Sequence, residues 1–135
     1  MQLRIVVDVP ELEAGIAFYT RGLELTVGRR KGSVWAELLG GPCPIDLVAK
    51  EEWSGPFPTA NRRRSFSRHW TPVHLDVVVD ALEPAVQRLT EAGAALDRPI
   101  QEQAWGRMAN LGDPFGHGLC VIEFRGKGYD EVLEG

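Results

Sequence analysis

The sequence is poor in cysteine, lacks a long apolar run and carries no excess of basic residues. Its two cysteines, Cys43 and Cys120, each lie three residues before a carboxylate on a predicted strand, Asp46 and Glu123. An odd separation on a strand puts each thiol on the face opposite its carboxylate. We therefore expect both thiols to pack in the core as small hydrophobic side chains, without a disulfide and without a nucleophilic role.

The distribution of apolar and charged residues excludes two classes of function. No apolar run approaches the roughly 20 residues of a membrane-spanning helix, and no signal peptide is recognisable before the strand pattern that starts at Leu3. With 15 Lys and Arg against 19 Asp and Glu, the formal net charge is -4, whereas a domain that binds nucleic acid is normally basic. We expect a cytoplasmic protein that binds neither membrane nor nucleic acid.

What the sequence does contain is an internal repeat. At an offset of 70 residues, segment 4–19 runs in step with segment 74–89, and near the end of each half Asp46 meets Glu123. Duplicated modules usually build their site where they meet. At 135 residues and 44% hydrophobic, the chain is long enough for one core, so we expect one domain of residues 1–135 made from two related modules.

The hydrophobic pattern predicts the same order of elements in each module. In the first, an alternating strand at 3–9 and a helix after Pro10 precede strands at 25–29, 33–39 and 44–49. In the second, a strand at 73–79 and a helix with Asp80 and Glu83 as capping pair precede strands at 99–103, 106–111 and 119–124. The sequence therefore predicts an α+β fold of two βαβββ modules, 1–50 and 72–128, in a curved mixed sheet around a cleft.

Segment 51–71 joins the two predicted modules. It contains the run Arg62–Arg64 and several aromatic residues, Trp53, Phe57, Phe66 and Trp70. A loop of this length in a compact domain is typical of a lid, a contact surface or a mobile connector. We interpret the arginine run as solvated linker and His69, at the end of the loop, as a group that can enter the cleft over a ligand.

Strand periodicity assigns a set of polar side chains to one face of the sheet. The alternation that packs Val7 and Val9 on the first helix turns Arg4 to the opposite face, and the repeat places His74 there as well. The same periodicity adds seven residues to this face: Trp35, Glu37, Asp46, Asp76, Met108, Asn110 and Glu123. A few ionisable groups among aromatic and aliphatic side chains are typical of a small-molecule pocket. The predicted ligand contacts are Trp35, Glu37, Met108, Asn110, Asp76 and His69.

Three phrases of the sequence, 9–19, 74–80 and 111–124, have an order and spacing that resemble one known family. That family is the vicinal oxygen chelate superfamily, also called the glyoxalase/bleomycin resistance/dioxygenase group. The resemblance covers nearly the whole chain except the loop 51–71. It implies a glyoxalase-like fold, a small-molecule ligand and a homodimer.

The resemblance also implies a set of metal ligands. In metal-using members of the family, the first and the last strand of each module supply the ligands, and the matching positions here are Arg4, Asp46, His74 and Glu123. It follows that His74, Glu123 and Asp46 are the expected ligands of a divalent metal such as Zn, Ni, Mn or Fe. Arg4 departs from the pattern, because a guanidinium has no lone pair to donate.

Arg4 leaves three alternatives open. In the first, the metal binds to the other three residues. In the second, which the sequence favours, the site is metal-free and Arg4 pairs with Asp46 and Glu123, because a cation roughly 4 Å from a divalent ion would cost several kcal/mol. In the third, Arg4 binds an anionic group of the ligand and stabilises an oxyanion, with Glu123 or Asp46 as the base.

The expected function is lyase or isomerase chemistry on an oxygen-rich or carbonyl metabolite, by metal-assisted or carboxylate-assisted proton transfer. Lyase or isomerase chemistry is favoured over dioxygenase chemistry, because the familiar iron site needs two histidines and one carboxylate and only His74 stands at a ligand position. The alternative is a non-catalytic protein that binds a drug or metabolite, as bleomycin-resistance-like members do. A metal-free interaction module that uses the aromatic loop is a third class.

Overall fold

The computed structural model describes residues 1–133, so Glu134 and Gly135 of the predicted domain lie outside the described residues. The chain divides into two compact units, and the boundary between Ser67 and Arg68 falls inside the predicted connecting loop. Each unit contains one β-sheet and one long helix. Neither helix among residues 1–133 has the length and apolar composition needed to cross a bilayer.

The first unit is a four-stranded mixed sheet with one helix. Its elements are β1 (Ile5–Val9), α1 (Leu12–Leu23), β2 (Thr26–Lys31), β3 (Trp35–Leu39) and β4 (Ile45–Ala49). The strand order is β1-β4-β3-β2, with β1 and β4 parallel and the other neighbours antiparallel. This is the predicted βαβββ module.

Helix α1 packs closely on β1 and β4 because its sequence has a glycine at the contact. A Cβ atom on Gly15 would stand 3.1 Å from both Val9 methyl carbons and 3.3 Å from Leu47 Cδ1. Val9 and Leu47 are fully buried on this side of the sheet. Strand periodicity then turns Arg4 and Asp46 to the opposite face, as the sequence predicts.

The second unit repeats this plan with one strand divided in two. Its elements are β5 (Leu75–Val78), α2 (Leu82–Ala92), β6 (Ala95–Leu96), β7 (Gln101–Gln103), β8 (Gly106–Gly112), β9 (Gly118–Phe124) and a 3-10 helix (Gly128–Val132). The strand order is β5-β9-β8-β6, and β7 also pairs with β8. The predicted α+β class and the two βαβββ modules are confirmed, although β6 and the 3-10 helix are absent from the prediction.

The predicted capping pair of α2 is wrong. The residue before the helix is Ala81, and no side chain at this position caps it. Instead, the Leu82 N–H donates a hydrogen bond to Glu123 Oε2 over 2.8 Å, and Glu83 pairs with Arg107. The Glu123 side chain on β9 therefore takes the place of a local cap. Because Glu123 is distant in sequence, the residues near the start of α2 do not predict this contact.

The predicted face assignment of β9 is also wrong, by one residue. Cys120 lies opposite Asn110 on β8 and beside Asp76 on β5, whereas Glu123 lies opposite Arg107. Cys120 therefore shares a face with Asp76 and Asn110, and Glu123 shares the α2 side with Arg107. The expectation that the Cys120 thiol faces away from the polar side is overturned by the same register.

Candidate functional site

The polar face of the first unit is occupied by an ion-pair cluster around Arg4. Arg4 Nε and Nη2 donate to the two oxygens of Asp46, each over 2.7 Å, and Nη2 also donates to Glu37 Oε2 over 2.6 Å. The antiparallel register places Glu37 directly opposite Asp46. Trp35 Nε1 donates to Asp46 Oδ1 over 3.1 Å, and Arg29 Nη2 donates to Glu37 Oε2 over 2.7 Å.

These contacts fix the charge state of both buried carboxylates. Glu37 is 4% exposed and Asp46 is 5% exposed. Hydrogen bonds from Arg29 and Arg4 lower the pKa of Glu37 to about 2. The hydrogen bonds from Arg4 also lower the pKa of Asp46, while Asp46 and Glu37 raise the pKa of Arg4. Arg4 and Arg29 are thus the cations of this cluster, and within the first unit the partners of Arg4 are Asp46 and Glu37. The pairing of Arg4 with Glu123, a residue of the second unit, stays a prediction.

The second unit brings together a different set of side chains. One potential ligand atom each from His74, Asp76 and Cys120 lies within 4.8 Å of the others. His74 Nε2 is 3.1 Å from Asp76 Oδ1, and both side chains are about two-fifths exposed, at 39% and 43%. Cys120 is buried at 3% exposure. The parallel pairing of β5 with β9 places Asp76 beside Cys120.

The Cys120 thiol is buried, but polar and charged side chains act on it. Burial raises the pKa of its thiol, and a hydrogen bond from Asn110 opposes that rise. Asn110 Nδ2 donates to Cys120 Sγ over 3.1 Å. The nearby Asp76 carboxylate also raises the pKa of the thiol, because it disfavours a second negative charge. A cation between the two would favour the thiolate instead.

A cavity of about 400 Å³ lies beside these three residues. Its lining contains Trp70, His74, Asp76, Asp97, Arg98, Met108, Asn110 and Cys120. Three predicted ligand contacts, Asp76, Met108 and Asn110, are in this lining, together with His74. Sequence reasoning missed Trp70, Asp97 and Arg98 as lining residues, and it assigned Cys120 to the core.

Two paired glycines contact Arg68 and Trp70 beside the cavity. Gly112 and Gly118 lie opposite each other where β8 ends and β9 begins. A Cβ atom on Gly118 would stand 2.4 Å from Trp70 Cε3, and one on Gly112 would stand 2.1 Å from Arg68 Nε. Arg68 and Trp70 therefore occupy the space that a side chain at these positions would need, and both bind the Asp97 carboxylate, Trp70 through Nε1 over 2.8 Å. The predicted contact His69 lies between them, and its N–H donates to Gly116 O over 3.3 Å.

Glu123, a predicted ligand and base, has other partners. Arg107 Nη2 donates to Glu123 Oε2 over 3.0 Å, and the same oxygen accepts the Leu82 N–H. The hydrogen bonds from Arg107 and Leu82 lower the pKa of this carboxyl. Within the second unit, His74 is thus joined by Asp76 and Cys120. The predicted meeting of His74 with Arg4 and Asp46 in one cleft stays a prediction.

Comparison of the strand registers of the two units identifies Cys120 as a site residue. In the first unit Asp46 lies opposite Glu37 and beside Val6. In the second, Cys120 lies opposite Asn110 and beside Asp76. Cys120 is therefore the structural counterpart of Asp46. The sequence repeat instead aligned Asp46 with Glu123, three residues further along, because both are carboxylates.

The three side chains fit a divalent metal. Zn²⁺ binds imidazole nitrogen, carboxylate oxygen and thiolate sulfur, and three protein ligands leave a fourth position open. Ligand atoms of a tetrahedral zinc lie roughly 3.4–3.8 Å apart, whereas those of the three residues lie within 4.8 Å of one another. A metal would therefore require the exposed His74 and Asp76 side chains to rotate towards Cys120. A sulfur ligand favours Zn, Ni or Fe over the harder Mn. His74, Asp76 and Cys120 are thus the residues of this unit that would hold a metal.

A family model described as a glyoxalase-like domain matches residues 4–122. The chain belongs to this glyoxalase-like family. The resemblance to the vicinal oxygen chelate superfamily is thereby confirmed. No curated protein sequence matches the chain.

Solved structures share the fold of this glyoxalase-like chain at low identity. The fosfomycin resistance protein FosX from Listeria monocytogenes, in complex with Mn(II) and 1S,2S-dihydroxypropylphosphonic acid, is 14% identical with a TM-score of 0.69, over 90% of this chain and 88% of that one. A lactoylglutathione lyase from Agrobacterium tumefaciens is 13% identical with a TM-score of 0.62, over 91% and 92%. A glyoxalase/bleomycin resistance protein/dioxygenase family enzyme from Burkholderia phytofirmans PsJN is 17% identical with a TM-score of 0.68, over 90% and 97%. At these identities the likeness shows the fold alone.

Proposed function

We propose that this glyoxalase-like protein is a metal-dependent lyase or isomerase that acts on a small metabolite with a carbonyl or neighbouring oxygens. The observation that supports it best is the convergence of His74, Asp76 and Cys120 at the border of a cavity. Nitrogen, oxygen and sulfur donors in one place are the chemistry that a borderline divalent metal requires. Structural relatives named as a lyase and as a Mn(II) complex belong to the same fold.

We assign the residues of the cavity separate roles in holding the metal, in forming the wall and in proton transfer. A divalent metal, when bound, would polarise a carbonyl oxygen and make a neighbouring C–H bond more acidic. Asn110 orients the Cys120 sulfur through its Nδ2–H, and Trp70 and Met108 supply apolar parts of the cavity wall. In a metal-free form, Asp76 beside His74 is the lining carboxylate that would take the proton.

The experiment is metal analysis of protein purified without chelator. We expect about one equivalent of Zn, Ni or Fe per chain in the unmodified protein, and loss of that metal in His74→Ala and in Cys120→Ser. Glu123→Gln is the matched control, because Glu123 lies on the α2 side and Gln keeps one oxygen to accept the Leu82 N–H. Metal content that is unchanged in both His74→Ala and Cys120→Ser would contradict the assignment of these residues as ligands, and the metal-free form of the site would then be favoured.

A second candidate is a protein that sequesters a small molecule without turnover. The protonation of the two predicted bases favours this candidate. Hydrogen bonds from Arg4 lower the pKa of Asp46, and hydrogen bonds from Arg107 lower the pKa of Glu123. A carboxylate whose pKa lies far below the working pH is a weak base. Exchange of C–H protons of 2-oxo and 2-hydroxy carbonyl compounds into D₂O, followed by NMR, separates the two: exchange supports the enzyme, and stoichiometric binding without exchange supports the binder.

We also propose that the protein is a cytoplasmic homodimer in which residues 1–135 form one cooperative domain. Family membership supports the dimer, and the repeat of two modules supports the single domain. Light scattering after gel filtration measures the mass, with twice 14.9 kDa expected. A single unfolding transition seen by two different probes would support one domain.

A further inference from the structure

Arg98 carries a charge at the border of the cavity that no carboxylate among residues 1–133 neutralises through an ion pair. Its Nε donates to Asn110 Oδ1 over 2.8 Å, and within that part of the chain its terminal nitrogens have no hydrogen-bond partner. The adjacent Asp97 carboxylate binds Arg68 and the Trp70 indole, and within residues 1–133 it makes no ion pair with Arg98. Arg98 lines the cavity and is an exposed residue.

Asn110 links Arg98 to Cys120, one of the three potential metal ligands. The Asn110 side chain is 9% exposed. Its Oδ1 accepts from Arg98, and its Nδ2 donates to Cys120 Sγ over 3.1 Å. Its peptide oxygen also accepts the Asp97 N–H over 2.9 Å, which fixes the chain beside Arg98. The guanidinium is therefore oriented by Nε while its terminal nitrogens remain available as donors.

We propose that Arg98 binds the oxyanion of the ligand, a carboxylate or a phosphonate, while the rest of the molecule occupies the cavity beside His74, Asp76 and Cys120. The proposal rests on the proposed function for the role of those three residues. A guanidinium binds either oxyanion through paired, charge-assisted hydrogen bonds. A cavity of about 400 Å³ is near the lower end of the roughly 300–1,000 Å³ of ligand pockets, which favours a small metabolite.

The charges of the cavity favour a ligand with one negative charge. Asp97 and Arg68 cancel each other. A divalent cation would be balanced by the Asp76 carboxylate and the Cys120 thiolate, and Arg98 would then be the unbalanced positive charge. A monoanion completes this balance, whereas a cationic ligand would be repelled.

The test uses three small probes that differ in charge. Acetate, methylphosphonate and the neutral acetamide are titrated into the full chain, with and without added Zn²⁺, while the ¹H–¹⁵N signals of Arg98 Nε–H and the Asn110 amide are followed by NMR. We expect saturable shifts with acetate or methylphosphonate and none with acetamide. The tighter of the two oxyanions identifies the class of ligand.

Three variants decide whether Arg98 is responsible. Arg98→Gln is expected to weaken oxyanion binding roughly tenfold to a hundredfold, and Arg98→Lys to retain part of it. Lys127→Gln is the control, because it removes one exposed positive charge of the same unit outside the cavity lining. Equal binding in Arg98→Gln and Lys127→Gln, or no binding of either oxyanion to the unmodified protein, would overturn the proposal. Arg98-dependent binding without added Zn²⁺ in a protein that holds no metal would support it while refuting the metal-dependent function.

Discussion

Asn110 and Cys120 lie directly opposite each other on β8 and β9, and Asn110 Nδ2 donates a hydrogen bond to Cys120 Sγ over 3.1 Å. This pair links Cys120, one of the three potential metal ligands, to Arg98, because the Oδ1 atom of the same amide accepts a hydrogen bond from the guanidinium. One buried amide thereby orients both a sulfur donor and a cationic donor at the cavity.

Replacement of Asn110 by Leu should weaken metal binding without removing a ligand. The variant keeps the size of the side chain and loses the donor to Cys120, and changes of this kind typically cost roughly 10-fold to 100-fold in metal affinity. Competition with a chromophoric chelator measures the affinity. Gln103→Leu, which also replaces a side-chain amide by leucine but at an exposed position on β7, should leave the metal affinity unaltered. Equal affinities in the two variants would show that Asn110 does not support the site.

The ion-pair cluster of the first unit should make stability depend on pH below neutrality. In the folded state the pKa of Glu37 is about 2, below its ordinary 4.5. A group with a lowered folded pKa stabilises the fold above its unfolded pKa, and this stabilisation is lost as the pH falls through the folded value. The contribution of Glu37 is therefore complete above about pH 5 and declines towards pH 2.

Glu37→Gln removes this dependence, so the variant and the unmodified protein should differ most near neutral pH and converge in acid. Urea unfolding between pH 7 and pH 3 measures the difference. Glu102→Gln is the matched control, because Glu102 forms an exposed pair with Arg125 and its side chain is 68% exposed. A difference between Glu37→Gln and the unmodified protein that is constant with pH would contradict this account.

The sequence predicted the two modules and most of the polar face because strand alternation is clear in the first unit. In β4, Asp46 interrupts the apolar residues Ile45 and Leu47, and this pattern determines which residues face α1. In β9 the alternation disappears, since Leu119, Cys120, Val121 and Ile122 are all buried, at 3%, 3%, 0% and 1% exposure. A strand covered on both faces reads as a continuous apolar run and does not specify its register.

The remaining errors come from contacts between residues distant in sequence. Arg98 lies between the short strands β6 and β7, and its local sequence is that of an ordinary surface arginine. Its position in the cavity lining depends on the fold. Trp70 was assigned to a connecting loop, and its position depends on the bare backbone of Gly118. Glu123 was matched to Asp46 by its charge, whereas its partners Leu82 and Arg107 are determined by the packing of α2.

Replacement of Gly118 by Ala should displace Trp70 from the cavity wall. The new Cβ would stand 2.4 Å from Trp70 Cε3, and overpacking of this kind costs about 1–3 kcal/mol. Urea unfolding measures the loss, and Gly41→Ala is the control, because its Cβ would meet nothing closer than 3.6 Å. In a Trp70→Ala background the cost of Gly118→Ala should fall, because the clashing ring is gone. Additive losses would show that Trp70 does not lie on this glycine.

Glu123 should prove to be a residue of stability rather than of metal binding. Its Oε2 accepts the Leu82 N–H over 2.8 Å at the start of α2 and also binds Arg107. Glu123→Ala removes the acceptor and the ion-pair partner together, so it should lower the melting temperature while the metal content per folded chain is unchanged. Glu123→Gln keeps one oxygen and should lose less stability, because the helix N-terminus stays capped. Loss of metal from Glu123→Ala protein that remains fully folded would instead indicate that Glu123 is a metal ligand.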